Sequence, residues 1–339
     1  MSIDSADGLE LQFLGRPRVL RDGRDVTPEI GAKGSGLLAY LALNAPNPVS
    51  REGLAASLWS DKADDAARYR LRHTLWDLRR SLGDELIRSD QVNCWLDLKG
   101  EVSIDLVRFQ QGCRAVGVSA SGHPATPEHL PTLRQVVEQY RGELLEGLIV
   151  REAPLFEEWL LVERERLQLL FQEALWSLAR LQQIEMDYAG AILTLNRLIE
   201  SDPLQERAYR ALMGVYLAQG DRSAALRVYR QCSLKLVAEL GVKPSPDTER
   251  LRELIAQNTS PSADEAIKRA NALFQEGRYD DALSGLTVAE ALAPDAVTQS
   301  HIALLRAEIA HTQGQHSQVL SFIQVARQAL RDLAGGRAH

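Results

Sequence analysis

At 339 residues, 45% of them hydrophobic, the chain exceeds what one ordinary core accommodates, and two or three domains are expected. No apolar run is long enough to span a bilayer, and the start MSIDSADGLELQ has neither a basic cluster nor an apolar stretch. No membrane segment or signal peptide is therefore expected, and the expected location is the cytoplasm. Three cysteines, Cys94, Cys113 and Cys232, are odd in number and widely spaced, which excludes a disulfide framework and a C-x-x-C zinc site and leaves them as small buried hydrophobes. The formal net charge of −7 argues against nucleic acid only until it is divided along the chain. Residues 1–100 hold 14 Lys+Arg against 15 Asp+Glu, so nearly all the excess acidity lies behind them. Within 66–80, Arg68, Arg70, Arg72, Arg79 and Arg80 face Asp77 alone, and local charge is what a phosphate senses across a Debye length of ~8 Å.

In chain order, LELQFLGRPRVLRDGRDVTP alternates apolar and polar residues and is broken at Gly15, Pro17 and Asp22-Gly23, the pattern of short antiparallel strands with a tight turn at Asp22-Gly23. From Lys33 the period becomes helical, with Leu37, Leu38, Leu41 and Ala42 on one face up to Asn44 and Pro46. Ser50 caps a short helix running to Trp59. Ser60-Asp61 breaks the chain before a long helix, about Asp64 to Leu82, that Gly83 closes. LIRSDQVNCWLDL then reads as a hairpin turning at Asp90 to Asn93, and GVSASGHPATPEHLP (117–131) as a surface loop. From Pro131 to about Leu240 everything is expected to be helical. GVKPSPDT (241–248) precedes a short helix, and QNTSPSAD (257–264) reads as a linker to a final helical segment.

The helical part repeats. Asp187-Tyr188-Ala189-Gly190-Ala191 and Asp221-Arg222-Ser223-Ala224-Ala225 lie 34 residues apart, and similar turns begin at Arg278 and Gln315. Ala270, Ala282, Leu286, Ala289 and Pro294 keep the small-residue and closing-proline spacing of tetratricopeptide repeats. Stacked pairs of that kind form a concave face suited to a peptide or protein effector.

On the helix from Ala66 to Leu82, a 100° projection gathers Leu71, Leu75, Leu78 and Leu82 into one stripe for the core. Opposite fall Tyr69, His73, Trp76 and Arg80, with Arg72 and Arg79 on a flank. Arginine can pair bidentately with guanine or phosphate, and an aromatic edge can pack on a thymine methyl. A protein-binding surface would use the same residues, so composition alone does not separate the two. Arrangement favours DNA: a preceding helix braces this one, and the following hairpin carries Arg88 and Ser89 with polar Asp90, Gln91 and Asn93 at its tip, as in a winged helix-turn-helix.

These residues carry a resemblance. Leu54-Ala55-Ala56-Ser57-Leu58-Trp59 and Leu71-Arg72-His73-Thr74-Leu75-Trp76-Asp77-Leu78-Arg79-Arg80-Ser81-Leu82-Gly83 resemble the OmpR-type winged helix of the Streptomyces antibiotic regulatory protein family. Tyr140-Arg141-Gly142-Glu143-Leu144-Leu145, Glu158-Trp159, Glu163-Arg164-Glu165-Arg166-Leu167, Asp202-Pro203-Leu204-Gln205-Glu206 and the stretch Glu239 to Thr248 resemble that family's bacterial transcriptional activation domain. The resemblance covers roughly residues 9–256. It implies a transcription activator that binds direct repeats in double-stranded promoter DNA as a side-by-side homodimer and recruits RNA polymerase. It also implies that Arg72, Trp76 and Arg79 enter the groove, with His73 beside them, while Arg68, Arg80 and Arg88 meet phosphates. The chain departs from the family at Cys94-Trp95-Leu96, where a Gly-Tyr-Arg-Leu run is usual, and has tetratricopeptide-like helices where large members carry an ATPase domain.

Catalytic motifs are absent: there is no His-Glu-x-x-His, no Gly-x-Ser-x-Gly and no acidic calcium loop. Gly31-Ala32-Lys33-Gly34-Ser35-Gly36 lacks the Gly-Lys-Ser/Thr order of a phosphate loop and opens a core helix. His123 and His129 read as solvent-exposed, His301, His311 and His316 as surface or packing residues, and Glu157, Glu158, Glu163 and Glu165 as an exposed helix face paired with Arg164 and Arg166. No enzyme activity, cofactor or metal is expected. The expected fold is mainly α with a small β component: a winged-helix domain at 1–108, a helical activation domain at 109–256 and tetratricopeptide-like repeats at 264–335. The rival reading is a protein-interaction scaffold that uses the winged helix and repeats as docking modules.

Overall fold

The alternation at the start becomes strand β1 (Leu9–Gln12), whose apolar side chains are buried. In this computed structural model the described residues are 8–99, 102–118, 125–256, 263–292 and 296–335, and they divide into two units, 1–119 with 132–174 and 120–131 with 175–339. In the first unit β1 pairs antiparallel with β2 (Arg18–Arg21), and β2 with β3 (Arg24–Asp25), through a turn in which Asp22 and Gly23 both take positive φ, 50° and 75°. That is the demand of a tight hairpin turn, met by Asp-Gly.

Helix α1 (Thr27–Asn44) begins earlier than the apolar period indicates, because its first turn is polar and has Pro28 where a helix start tolerates it. It kinks at Gly31, with φ at 68°. The glycine-rich run is a packing device: a Cβ at Gly34 would stand 2.7 Å from Ile30, and one at Gly36 2.8 Å from the Phe156 ring. Helix α2 (Arg51–Leu58) follows, its N-cap Ser50 accepting the Gly53 amide at 3.3 Å, and then α3 (Asp64–Leu82). The three-stranded wing has the order β4 (Val49–Ser50), β6 (Asn93–Leu96), β5 (Ile87–Ser89). Cys94, Cys113 and Cys232 are all buried, and burial pushes their thiols up to about 11, 12 and 12. They are hydrophobes, not nucleophiles.

Strand β7 (Val102–Ile104) joins β1 in parallel and leads into α4 (Asp105–Ala115), which is followed by α5 (Leu130–Gln139) and α6 (Pro154–Ile184). The expectation that everything from Pro131 onward is helical fails at one place. Residues 140–153 leave the helical path and pair with the end of β1: Gly15 donates to the Glu143 carbonyl at 2.9 Å, and Leu145 to that of Phe13 at 2.8 Å. Gly142 permits this approach, since a Cβ there would lie 3.1 Å from the Gly15 Cα. Arg164, expected in ion pairs at helical spacing, pairs with the distant Glu143 at 3.4 Å and donates to the Leu144 and Leu145 carbonyls at 2.8 and 2.9 Å; Arg166 does pair with Glu163 at 2.7 Å.

Beneath this pairing Asp105 is 4% exposed. Its carboxylate accepts the amides of Phe13 and Leu14 at 2.9 and 3.0 Å, that of Leu106 at 2.6 Å, and the Arg141 guanidinium at 2.7 Å. Around it, Tyr140 stacks on Phe171 at 4.2 Å, and Trp159 on Tyr40 of α1 at 4.4 Å.

The second unit holds the helical array: α7 (Tyr188–Ser201), α8 (Glu206–Ala218), α9 (Arg222–Leu240), α10 (Pro246–Ala256), α11 (Ala263–Gln275), α12 (Tyr279–Leu292), α13 (Ala296–Thr312) and α14 (His316–Gly335). The repeat is borne out locally: Asp187 caps α7 by accepting Gly190 N at 2.9 Å, and Asp221 caps α9 by accepting Ala224 N at 2.8 Å. Ala270, Ala282, Leu286 and Ala289 are fully buried where α11 and α12 touch. Pro294, His123 and the 257–262 part of the expected linker lie outside the described residues. Of the expected 117–131 surface loop, residues 119–124 also lie outside the described residues, and the part from 125 onward is not simply a loop. Ala125 is buried and its carbonyl accepts Gln318 Nε2 at 3.3 Å, while His129 Nδ1 accepts the Thr126 amide at 3.1 Å and so closes a turn, not a solvated loop.

Two motifs far apart in sequence meet here. Glu206 at the start of α8 accepts the Ser245 amide at 2.9 Å, the Ser245 hydroxyl at 2.8 Å and the Thr248 hydroxyl at 2.6 Å. Burial works to raise the Glu206 carboxyl, but the Thr248 and Ser245 donors outweigh it and hold the group below its ordinary value of 4.5.

The mainly helical architecture, a winged helix-turn-helix with a helical array after it in the chain, is the one expected. Replacing Asp105 with Ala strands buried amides and an arginine, and should lower stability by about 3–5 kcal/mol in chemical denaturation. Because the Glu206 value is depressed, its contribution is complete above pH 4.5 and is lost as pH falls through the folded value. The stability difference between the native chain and Glu206→Gln should therefore be full at neutral pH and shrink in acid; an unchanged difference would contradict this assignment.

Candidate nucleic-acid interface

Helix α3 buries Leu71, Leu75, Leu78 and Leu82 against the core, as its period demands. The opposite face stands in solvent, with Tyr69 58% and Trp76 55% exposed. Each aromatic ring carries an arginine: the Arg72 guanidinium lies 6.0 Å from the Tyr69 centroid, and that of Arg80 5.5 Å from Trp76. Cation–π contact of this kind orders long side chains without neutralising them. Neither Arg72 nor Arg80 has a carboxylate partner among the described residues. Charge is graded along the helix, with Asp64 and Asp65 in the first turn and Arg79 and Arg80 in the last, each matched to the helix dipole. The acidic first turn offsets the positive charge at that end, so the net basic surface of the helix runs from Arg68 to Arg80.

The other expected site residues are more engaged. His73 Nδ1 lies 2.8 Å from Asp77 Oδ2. Arg68 spans Glu52 at 3.3 Å and Asp65 at 3.7 Å, and Arg88 stands 3.6 Å from Asp97. These are surface ion pairs of small energy, which a phosphate can replace. Arg79 differs: its Nε donates to the Ile87 carbonyl at 3.1 Å and its Nη2 to the Ser89 hydroxyl at 2.7 Å. The guanidinium thus binds α3 to the first wing strand.

At the wing tip, Asp90 Oδ1 accepts the amides of Val92 and Asn93 at 2.7 and 2.6 Å, which lowers its carboxyl. Asp90 therefore builds the turn, Gln91 remains exposed, and the apolar Val92 projects at 65% exposure. Sequence reasoning passed over Val92, and also Arg70, which is exposed on α3 two residues before Arg72. Arg21, whose Nη1 donates to the Ser81 carbonyl at 2.7 Å and so closes the end of α3, was equally hidden. Arg70 was visible as part of the basic run; Val92 and Arg21 depend on the folded turn and sheet. Lys33 of the glycine-rich run donates to the Leu58 carbonyl at 2.7 Å and lies 5.1 Å from the Trp59 ring. No group of three His, Cys, Asp or Glu among the described residues could hold a metal ion, and no described helix is long and apolar enough to cross a membrane.

A winged helix-turn-helix with an aromatic and basic outer face, joined to a helical array, defines a class of protein; comparison narrows it. Residues 104–256 match the bacterial transcriptional activator domain. The chain is 26% identical over 283 residues to the regulatory protein AfsR of Streptomyces coelicolor, covering 80% of this chain but only 26% of that protein. It is also 26% identical over 271 residues to the transcriptional regulatory protein EmbR of Mycobacterium tuberculosis, covering 78% of this chain and 67% of the relative. In three dimensions it is similar to M. tuberculosis EmbR in complex with a low-affinity phosphopeptide, with a TM-score of 0.54 at 22% identity over 79% of this chain and 71% of that one, a likeness of fold. The chain is thus similar, across its activator-domain stretch and beyond it, to proteins named regulators of transcription.

Replacing Arg79 with Ala should loosen the wing. Amide hydrogen exchange in β5 and β6 is expected to accelerate while the helical signal stays unchanged, with a stability loss of about 1–3 kcal/mol.

Proposed function

We propose that this protein is a sequence-specific DNA-binding regulator of transcription, an activator acting in the cytoplasm on promoter direct repeats. The observation that carries the reading is the pair of uncompensated, aromatic-braced arginines on the outer face of α3, Arg72 on Tyr69 and Arg80 on Trp76. Arg72 and Trp76 read base edges; Arg80, with no ion pair to give up, and Arg68 and Arg88, whose ion pairs are exposed enough to exchange, meet phosphates, with His73 at their side. Arg79 acts as a positioning residue, setting the wing against the reading helix. Arg70 joins the phosphate group.

The work divides among DNA reading at 1–108, activation at 109–256 and effector reception at 264–335. The activation domain contacts RNA polymerase, and two copies of the chain occupy adjacent half-sites as a homodimer. The protein does no catalysis: Lys33, which in a phosphate loop would meet a nucleotide, is engaged with Leu58 and Trp59.

Gel-shift titration against promoter fragments over a salt series tests this reading. Specific binding with a steep salt slope is expected. Arg72→Ala should cost about 1–3 kcal/mol and relax preference at one base, whereas Arg80→Ala should weaken all sequences alike and reduce the salt slope by about 1. Absence of any DNA shift, with salt-insensitive binding to protein instead, would favour the scaffold reading.

A further inference from the structure

Where α10 and the pair α11 and α12 meet α8, the second unit holds a cavity of about 130 Å³. Leu251, Leu254, Leu273 and Val288 make its apolar wall. The volume is close to the ~150 Å³ in which a protein can hold a benzene ring. Gly214, mid-helix in α8, also lines it, and a Cβ built there would meet nothing within 4 Å. No neighbour packs into the room that glycine leaves. In a helix interior glycine is disfavoured, so the position holds open a space that alanine or leucine would narrow.

Most of the charge at the rim is matched. Arg207 pairs with Asp280, Arg210 reaches Asp281 at 3.6 Å, and Arg278 pairs with Asp247 and, at 2.8 Å, with Asp281. Arg269 on α11 is the exception. It lines the cavity, is only partly exposed, and forms no hydrogen bond or ion pair with the other described residues. Arg250 and Arg278 stand near it as like charges, while the carboxylates there are already engaged, Asp247 by both of those arginines and Asp281 by Arg278. Burial and these neighbours disfavour its charged form. An anion would relieve that repulsion, and guanidinium offers it a two-pronged donor.

We infer that this cavity binds a small carboxylic acid anion with one ring-sized apolar body, the body among Leu251, Leu254 and Val288 and the carboxylate on Arg269. A phosphate or a free inorganic anion would satisfy Arg269 but leave the apolar wall unused. An uncharged hydrocarbon would fill the wall but leave Arg269 unmatched. The ligand would touch α8 and α10, which lie in the stretch matching the activator domain, together with α11 and α12 of the following repeat. Its occupancy would therefore couple those two parts.

Calorimetric titration of the full chain with benzoate, with benzamide as the uncharged isostere and inorganic phosphate as the anion without a body, tests this. Saturable one-to-one binding of benzoate is expected, with about a tenfold or greater loss for benzamide, for phosphate, and for benzoate with Arg269→Gln. Gly214→Leu should abolish benzoate binding by filling the space. Thermal melts establish that each variant is folded; if Gly214→Leu is not, Arg269→Gln decides alone, since Arg269 has no native ion pair to lose. Equal affinity for benzoate and benzamide, unchanged binding in Arg269→Gln, or no saturable benzoate binding up to about 10 mM would overturn the inference. None of these outcomes bears on DNA binding by α3.

Discussion

The buried carboxylate of Asp105 is the point on which the first unit depends. It lies where β7 turns into α4, and by accepting the amides of Phe13, Leu14 and Leu106 it ends the N-terminal sheet and starts the helix in one place. The Arg141 guanidinium supplies the counter-charge and draws the 140–146 segment onto β1. A lone ionised carboxylate at this depth would be untenable, and the full set of donors is what makes it acceptable. Burial raises the Asp105 carboxyl, against the pull of those amides and of Arg141. Residues that carry the activation-domain resemblance are therefore the ones that hold the N-terminal sheet and α1: Arg141 on Asp105 and Gly142 against Gly15 at the sheet, and Trp159 on Tyr40 at the helix.

Much of this fold was legible in the sequence, for identifiable reasons. The leucine stripe of α3 follows from the 3.6-residue period, the Asp22-Gly23 turn from backbone sterics, and the paired-helix turns from aspartates that cap where expected. These depend on neighbours within a few residues. The 140–153 segment was hidden because Leu144, Leu145 and Leu148 mimic a helical face, while the partner that extends them, Phe13 to Gly15, is remote in the chain. Tertiary pairing overrode local pattern there.

The candidate site divides along the same line. Sequence placed Arg72, Trp76 and Arg80 on one exposed face, because a helix projection needs no tertiary information. It could not tell that Arg79, adjacent to Arg80, is occupied by the wing, nor that Asp90 is consumed by its own turn, because both depend on where the hairpin folds back. Neighbouring arginines on one helix thus have distinct duties, decided by whether a carbonyl or open solvent stands opposite.

The Arg79 bridge to Ile87 and Ser89 also bears on how quickly a target could be engaged. Ordering a flexible segment upon encounter opposes association by about 1–2 kcal/mol for each residue fixed. A hairpin already fastened to its helix arrives at a surface with its shape set, so the free energy of contact is not diminished by immobilising it. On the proposed reading, the spacing between the two projecting elements would then work as a gauge, accepting a groove and backbone at one separation and rejecting others before any base is read.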